Sequence, residues 1–288
     1  MRPEPVEGRE RDAAKIEPVP HTYSCPVRWG DLDAQGHVNN GFYVDYLQEA
    51  RVHFLLAGPP EGRGLLDSGV LVVSHAVEYL RPVGVVDAVT IRLWVDAVGG
   101  SRFVIGYDLL DGEHLAARAR TALVPFHLAG GGMRRLTTPE REFLRGHHAP
   151  AEPLRPLTES PVGLHPFRTW LSVRWSDLDS YGHVNNVKFY DYVQQARIAL
   201  INATVHWSPE TLWMVARQDV QYRAPLDFRT EPYEVATWVT AIGTRSFTLG
   251  AEIRDPASGT RYASAGTVVV GSVPLTTDQR EALSRWSA

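Results

Sequence analysis

The spacing of apolar positions along the chain changes repeatedly, and each change marks an element. From His21 to Trp29, Tyr23, Cys25, Val27 and Trp29 fall at period two, the signature of a strand with one buried face. Gly30 to Gly36 is polar and reads as a loop. From about Val38 the period lengthens. Tyr43, Tyr46, Leu47, Ala50, Phe54 and Leu55 recur at intervals of three and four, which predicts one face of a helix that ends at Gly58-Pro59-Pro60. Four strand-like runs follow: Val70 to Tyr79, Val85 to Val95, Arg102 to Leu110 and Leu115 to Pro125. The breaks between them hold Pro82-Val83-Gly84, Gly99-Gly100 and Asp111-Gly112, the last a hairpin signal.

The same order then recurs. Thr169 to Trp175 predicts a strand, Ser176 to Gly182 a loop, and a helix runs from about Val184 with Phe189, Tyr192, Val193, Ala196 and Leu200 on its apolar face. Strands are predicted over Trp213 to Tyr222, Glu231 to Ala241, Ser246 to Arg254 and Arg261 to Val273. The repetition is literal in one stretch. Val27 to Arg51 and Val173 to Arg197 share 16 of 25 positions at a constant offset of 146. A duplicated scaffold needs only its apolar pattern kept. Here the loop residues Asp-x-Asp and Gly-His-Val-Asn-Asn are kept as well, which calls for a reason beyond packing. Weaker echoes extend the match. Tyr79-Leu80-Arg81-Pro82 answers Tyr222-Arg223-Ala224-Pro225, and Gly99 to Phe103 answers Gly243 to Phe247. Leu136-Thr137-Thr138-Pro139 and Leu275-Thr276-Thr277-Asp278 each predict an N-cap opening a short helix.

Residues 21–146 and 167–288 therefore read as two like units. A proline-rich linker over 147–166 joins them, and residues 1–20 read as a disordered tail. One helix followed by an antiparallel meander predicts an α+β unit whose curved sheet wraps a long helix. Such a sheet has open edges, so the units pair with each other, and a homo-oligomer through the outer edges is expected.

Composition narrows the partners. Hydrophobic residues make up 44% of the chain and charged ones 22%, values of a globular protein. The net charge is −4 with no basic block, which points away from nucleic acid. Cys25 is the single cysteine, no apolar run reaches membrane-spanning length, and the charged start lacks a signal-peptide centre. A cytoplasmic location with no membrane association is expected. No second histidine or cysteine stands at metal-ligand spacing, so no metal site is expected.

A loop Asp-x-Asp-x-x-Gly-His-Val-Asn-Asn between a first strand and a long helix resembles the hotdog-fold acyl thioesterases, and in particular the 4-hydroxybenzoyl-CoA thioesterase family. Arg174 to Lys188 is similar also to the plant acyl-ACP thioesterases, which are double hotdogs. The resemblance covers nearly all of both units and implies a tandem hotdog that needs no cofactor. It puts the catalytic carboxylate on Asp33 and Asp179. It puts the backbone N–H that meets the thioester carbonyl on Asn40 and Asn186, at the helix starts. His37 and His183 correspond to a histidine of the plant catalytic network. Gln35 and Tyr181 depart from that pattern, standing where the plant enzymes carry asparagine.

The chemistry of the residues agrees with that assignment. A carboxylate can activate water or attack a thioester directly. A helix N-terminus offers unpaired N–H groups where negative charge develops on the carbonyl oxygen. Gly36 and Gly182 let the backbone approach the substrate or take a positive φ. Structural roles compete at each position. Asp33 and Asp179 can brace their own loops, and the asparagines can cap the helices. Asp31 and Asp177 are expected to pair with Arg28 and Arg174. Arg51 and Arg197 are expected in helix-surface ion pairs, Asp45 and Asp191 on a solvated face, and Trp29 and Trp175 in the core. Arg81, Arg102, Arg223 and Arg245 read as surface arginines, with CoA phosphates as the alternative. The predicted activity is hydrolysis of an acyl-CoA, or of an acyl-ACP, to acid and thiol. Two alternatives stay open: a non-catalytic acyl-CoA binding or sensing module, and a hotdog dehydratase acting on hydroxyacyl thioesters.

Overall fold

In a computed structural model, residues 20–128, 130–149, 151–155, 157, 161–205 and 212–287 are described. Apart from Pro20, the tail assigned to residues 1–20 lies outside them, as do residues 150, 156 and 158–160 of the linker. The first half comprises β1 (His21–Pro26), α1 (Asn40–Ala57), α2 (Pro60–Ser68), β2 (Val70–Tyr79), β3 (Ala88–Val98), β4 (Phe103–Asp111), β5 (His114–Pro125) and α3 (Thr138–Gly146). The second comprises β6 (Phe167–Leu171), α4 (Lys188–Thr204), β7 (Trp213–Tyr222), β8 (Tyr233–Ile242), β9 (Ser246–Arg254), β10 (Arg261–Gly271) and α5 (Thr277–Ser284). All ten strands join one antiparallel sheet in the order β1-β3-β4-β5-β2-β7-β10-β9-β8-β6. This is the double hotdog. No described helix is long and apolar enough to cross a membrane.

The seam between halves is the β2–β7 pair, and its register reveals the symmetry. Ser74 faces Gln221, Ala76 faces Asp219 and Glu78 faces Arg217. The offset that carries Tyr79 to Tyr222 also carries Ala76 to Asp219, so that pair marks a pseudo-twofold axis. Each strand supplies the edge the other lacks, which satisfies the unpaired N–H and C=O groups of both. Beneath the sheet, the predicted faces of α1 and α4 are buried throughout: Tyr43, Tyr46, Leu47, Ala50, Phe54 and Leu55 in α1, and Phe189, Tyr192, Val193, Ala196 and Leu200 in α4. Both predicted caps are present. Thr137 and Thr276 each accept an N–H three residues on, in complete capping boxes.

Three features differ from expectation. First, β1 and β6 end early, at Pro26 and Leu171, and Trp29–Asp31 and Trp175–Asp177 form single 3₁₀ turns. The turn breaks the strand alternation and rotates the aspartate inward instead of the tryptophan. Trp29 is 89% exposed and Trp175 74%, so neither is core. Second, α2 has no counterpart in the sequence reading. Its start holds Pro59, Pro60, Gly62 and Gly64, which mask any helical period. Pro60 sits at the helix start, where a missing N–H does no harm. Gly62 packs so closely that a Cβ would lie 2.9 Å from Leu55 O and 3.0 Å from the Phe143 ring. Third, Arg51 and Arg197 make no ion pair among the described residues; both are buried between helix and sheet.

Candidate active site

The repeated loop is folded twice in the same way. Leu32 bridges Val38, and Leu178 bridges Val184. Between them Asp33 N–H donates to His37 O at 2.7 Å, and Asp179 N–H to His183 O at 2.8 Å. Turning the chain within so short a span needs a left-handed residue, which Gly36 (φ +77°) and Gly182 (φ +80°) provide. Neither glycine crowds a neighbour, so backbone conformation alone explains them. The first aspartate of each motif anchors the loop to the helix. Asp31 Oδ2 accepts from Tyr46 OH at 2.6 Å and from Arg28 N–H at 2.8 Å. Asp177 does the same with Tyr192 OH and Arg174 N–H, at 2.7 and 2.8 Å. These aspartates are structural as expected, but their partners are a tyrosine and a backbone amide, where guanidinium groups were expected.

The second aspartate is half-buried, with its two oxygens in different situations. Asp33 Oδ1 accepts from Gln35 N–H at 2.8 Å and His37 N–H at 3.1 Å. Its Oδ2 takes no hydrogen bond from any described residue. Asp179 Oδ1 accepts from Tyr181 N–H at 2.8 Å. One oxygen of each thus braces the turn, and the other remains available for chemistry.

The two adjacent asparagines divide their work. Asn39 caps α1, its Oδ1 accepting from Gly41 N–H at 3.1 Å. Asn185 does likewise for Val187 N–H at 3.0 Å, and α4 proper begins two residues later than its counterpart. The next residue is the one left with a free amide. Among the described residues, neither Asn40 N–H nor Asn186 N–H donates a hydrogen bond. Such amides, with the positive end of the helix behind them, suit an oxygen that gains negative charge.

Asp33, His37 and Asn40 open together on a cleft of about 550 Å³. Its other wall belongs to the second half: Arg197, Ile198 and Ile201 of α4, Val215 and Ala216 of β7, and Val269 of β10. Arg81 is exposed and also lines it. Asp179, His183, Asn186 and the two turn glycines are not among its lining residues. The histidines also part company. His183 is exposed, with Nε2 3.8 Å from Asp227 Oδ1, whereas His37 lines the cleft.

Residues that the sequence did not single out complete the surroundings. Tyr79 OH donates to Asn40 O at 2.9 Å, and Tyr222 OH to Asn186 O at 2.8 Å. These tyrosines were visible as a repeated pair, but no motif tied them to the helix starts. Asn40 Nδ2 donates to Gln218 Oε1 at 3.1 Å, and Asn186 Nδ2 lies 3.1 Å from His75 Nε2. Gln218 and His75 differ between the repeats and carried no signal. Arg197 donates to Gln218 Oε1 and to Asn40 Oδ1, both at 3.4 Å. Burial pulls its guanidinium down to about 10, with Tyr79 acting weakly in the other direction.

Solved structures share this architecture across most of the chain. A protein assigned as an oleoyl thioesterase from Lactobacillus plantarum superposes with TM-score 0.72 at 12% identity, covering 88% of this chain and 97% of its own. The 12:0-ACP thioesterase from Umbellularia californica gives 0.68 at 15% identity, covering 87% and 94%. An acyl-ACP thioesterase from Bacteroides thetaiotaomicron gives 0.66 at 15% identity, covering 86% and 96%. At these identities the likeness is one of fold. No curated protein matches the chain in sequence. A family model, that of the thioesterase-like superfamily, matches residues 27–153 and again 173–284. Those spans take in both motif loops, both long helices and the seam strands, and the chain belongs to the thioesterase-like superfamily.

Proposed function

We propose that the protein hydrolyses acyl thioesters, acyl-CoA before acyl-ACP, to free acid and thiol. In the Asp33 site the thioester carbonyl oxygen accepts the free N–H of Asn40, and negative charge gathers there as the carbonyl carbon becomes tetrahedral. Asp33 Oδ2 then either takes a proton from the attacking water or attacks the carbonyl itself; both routes use the same free oxygen. His37 orients the reacting groups from the same wall. The acyl chain runs along Ile198, Ile201, Val215 and Val269, and exposed Arg81 is placed to meet a carrier phosphate. Asp179, His183 and Asn186 form the corresponding second site. Gly36 and Gly182 act through the turn that presents each aspartate. The protein works in the cytoplasm and assembles further through its outer strands β1 and β6, which have open edges.

The observation that carries this reading is one juxtaposition. A carboxylate with a spare oxygen and a helix-start amide with no partner among the described residues open on the same apolar-walled cleft between the halves. A cleft of about 550 Å³ falls within the range of small-molecule sites, ~300–1,000 Å³. The test is CoA release over short, long and aromatic acyl-CoAs, repeated with the same acyl groups on carrier protein. Changing Asp33 and Asp179 together to Asn lowers turnover by roughly 10² or more, the scale of a lost general base. Wild-type turnover in the double variant would remove the aspartates from the mechanism.

A further inference from the structure

His75 on β2 and Gln218 on β7 occupy the same position in the two halves, by the offset that relates Tyr79 to Tyr222. Both are shut away from solvent, at 1% and 0% exposure. Each pairs across its own half with an equivalent threonine, His75 with Thr121 and Gln218 with Thr267. Each also crosses the seam to the asparagine that opens the other half's helix, with the same 3.1 Å separation. The contact has survived a complete change of side-chain chemistry, from amide to imidazole.

The direction of these bonds follows from what each group can give. Arg197 can only donate, so the atom of Asn40 it meets is Oδ1, and Nδ2 is turned toward Gln218. Asn186 placed alike presents Nδ2 to His75 Nε2, which must then accept. The imidazole proton therefore sits on Nδ1, facing Thr121 Oγ1 at 2.8 Å. Meanwhile the backbone oxygens of Asn40 and Asn186 are held by Tyr79 and Tyr222. Asn40 is thus fastened at Nδ2, Oδ1 and O, and its N–H alone is left free.

Building on the hydrolase reading, we propose that Gln218 and His75 are positioning residues that act across the seam. Gln218 holds Asn40 for the Asp33 site, and His75 holds Asn186 for the Asp179 site. Each half's carbonyl-polarising amide is therefore aimed by the other half, and by a different chemical group in each. A displacement of even about 1 Å at such a donor is enough to cost on the order of 10² in rate.

The test uses the full chain in two backgrounds. Asp179→Asn leaves the Asp33 site, and Asp33→Asn leaves the Asp179 site. Gln218→Leu and His75→Leu are added to each, and kcat and KM for CoA release are measured, with thermal melting to confirm folding. The loss of kcat from Gln218→Leu should be at least tenfold greater where Asp33 survives, and that from His75→Leu at least tenfold greater where Asp179 survives. KM should change less than kcat in both cases. His75→Gln, which places the other half's amide at this position, should recover most of the turnover. If a leucine variant fails to fold, Gln218→Asn and His75→Asn withdraw the acceptor while keeping a polar side chain. If one background is silent, the other arm decides. Equal losses in both backgrounds overturn the proposal and leave these residues as core supports. A wild-type protein inert toward every acyl-CoA and acyl carrier protein instead removes the hydrolase reading, and the positioning role with it.

Discussion

Changing His75 to Gln should alter how the stability of this protein depends on pH, by an amount that can be worked out. Among the described residues, no carboxylate acts on the imidazole. It meets Thr121 Oγ1 and Asn186 Nδ2, and the rings of Tyr190 and Tyr222 stand edge-on at 6.2 and 6.0 Å. Burial first, and the charge of Arg51 second, hold it well below the usual 6.5. The unfolded chain takes up a proton here near pH ~6.5, and the folded chain refuses it. The unfolded state thus binds more protons on the acid side, so stability falls as pH falls. Between about pH 7.5 and about pH 5.5 this one group removes about 1.4 kcal/mol. The glutamine variant lacks that loss, whatever the substitution does to absolute stability. His21, also lowered by burial, is common to both proteins and cancels. Urea unfolding followed by tryptophan fluorescence at the two pH values measures the difference. Equal pH dependence in the two proteins would mean that His75 takes up its proton while folded, and the neutral acceptor assigned to it would be wrong.

Two further pairs of substitutions probe the repeat itself. Tyr46→Phe and Tyr192→Phe each remove a hydroxyl from a buried aspartate, and each should cost ~1.5–3 kcal/mol by chemical denaturation, with near-additive losses in the double variant. Gly106→Ala and Gly250→Ala place a methyl within clashing distance of the Trp94 and Trp238 indoles. Each should destabilise by ~1–3 kcal/mol in thermal or urea melts, and an unchanged midpoint would show that the indoles are free to move.

Much of this was legible because the chain states its pattern twice. Strands Val70–Tyr79, Trp213–Tyr222 and Ser246–Arg254 lie where period and breaks placed them, and the apolar faces of α1 and α4 are buried residue for residue. Local signals succeeded where local chemistry decides. Threonine caps, Asp111-Gly112 and the left-handed Gly36 and Gly182 all act within a few residues of themselves. The failures share the opposite property. Trp29 and Trp175 carry an apolar side chain, yet the 3₁₀ turn that turns them outward is held by Asp31 and Asp177 reaching Tyr46 and Tyr192, 15 residues away. Arg51 and Arg197 have the charge of a helix surface, but each is buried against a strand far along the chain, reaching Tyr107 on β4 and Gln218 on β7, and no local pattern encodes that cover.

The seam explains why His75 and Gln218 were the hardest residues to find. In a symmetric pair of separate chains, one residue at this strand position would have to hold both helix-start asparagines. A single chain carrying both halves is under no such constraint, since His75 and Gln218 each serve one asparagine. The two need only supply an acceptor at the same point, and a neutral imidazole nitrogen and an amide oxygen both do. Identity between repeats falls instead on groups that sit alike within their own half, such as Asp33 with Asp179 and Asn40 with Asn186. Divergence between repeats is where the halves become unlike. At the Asp33 site the asparagine faces an amide and a buried guanidinium. At the Asp179 site it faces an imidazole. The two copies of the motif are thus set in different electrostatic surroundings, and on the proposed hydrolase reading their acyl preferences should separate when each is measured alone.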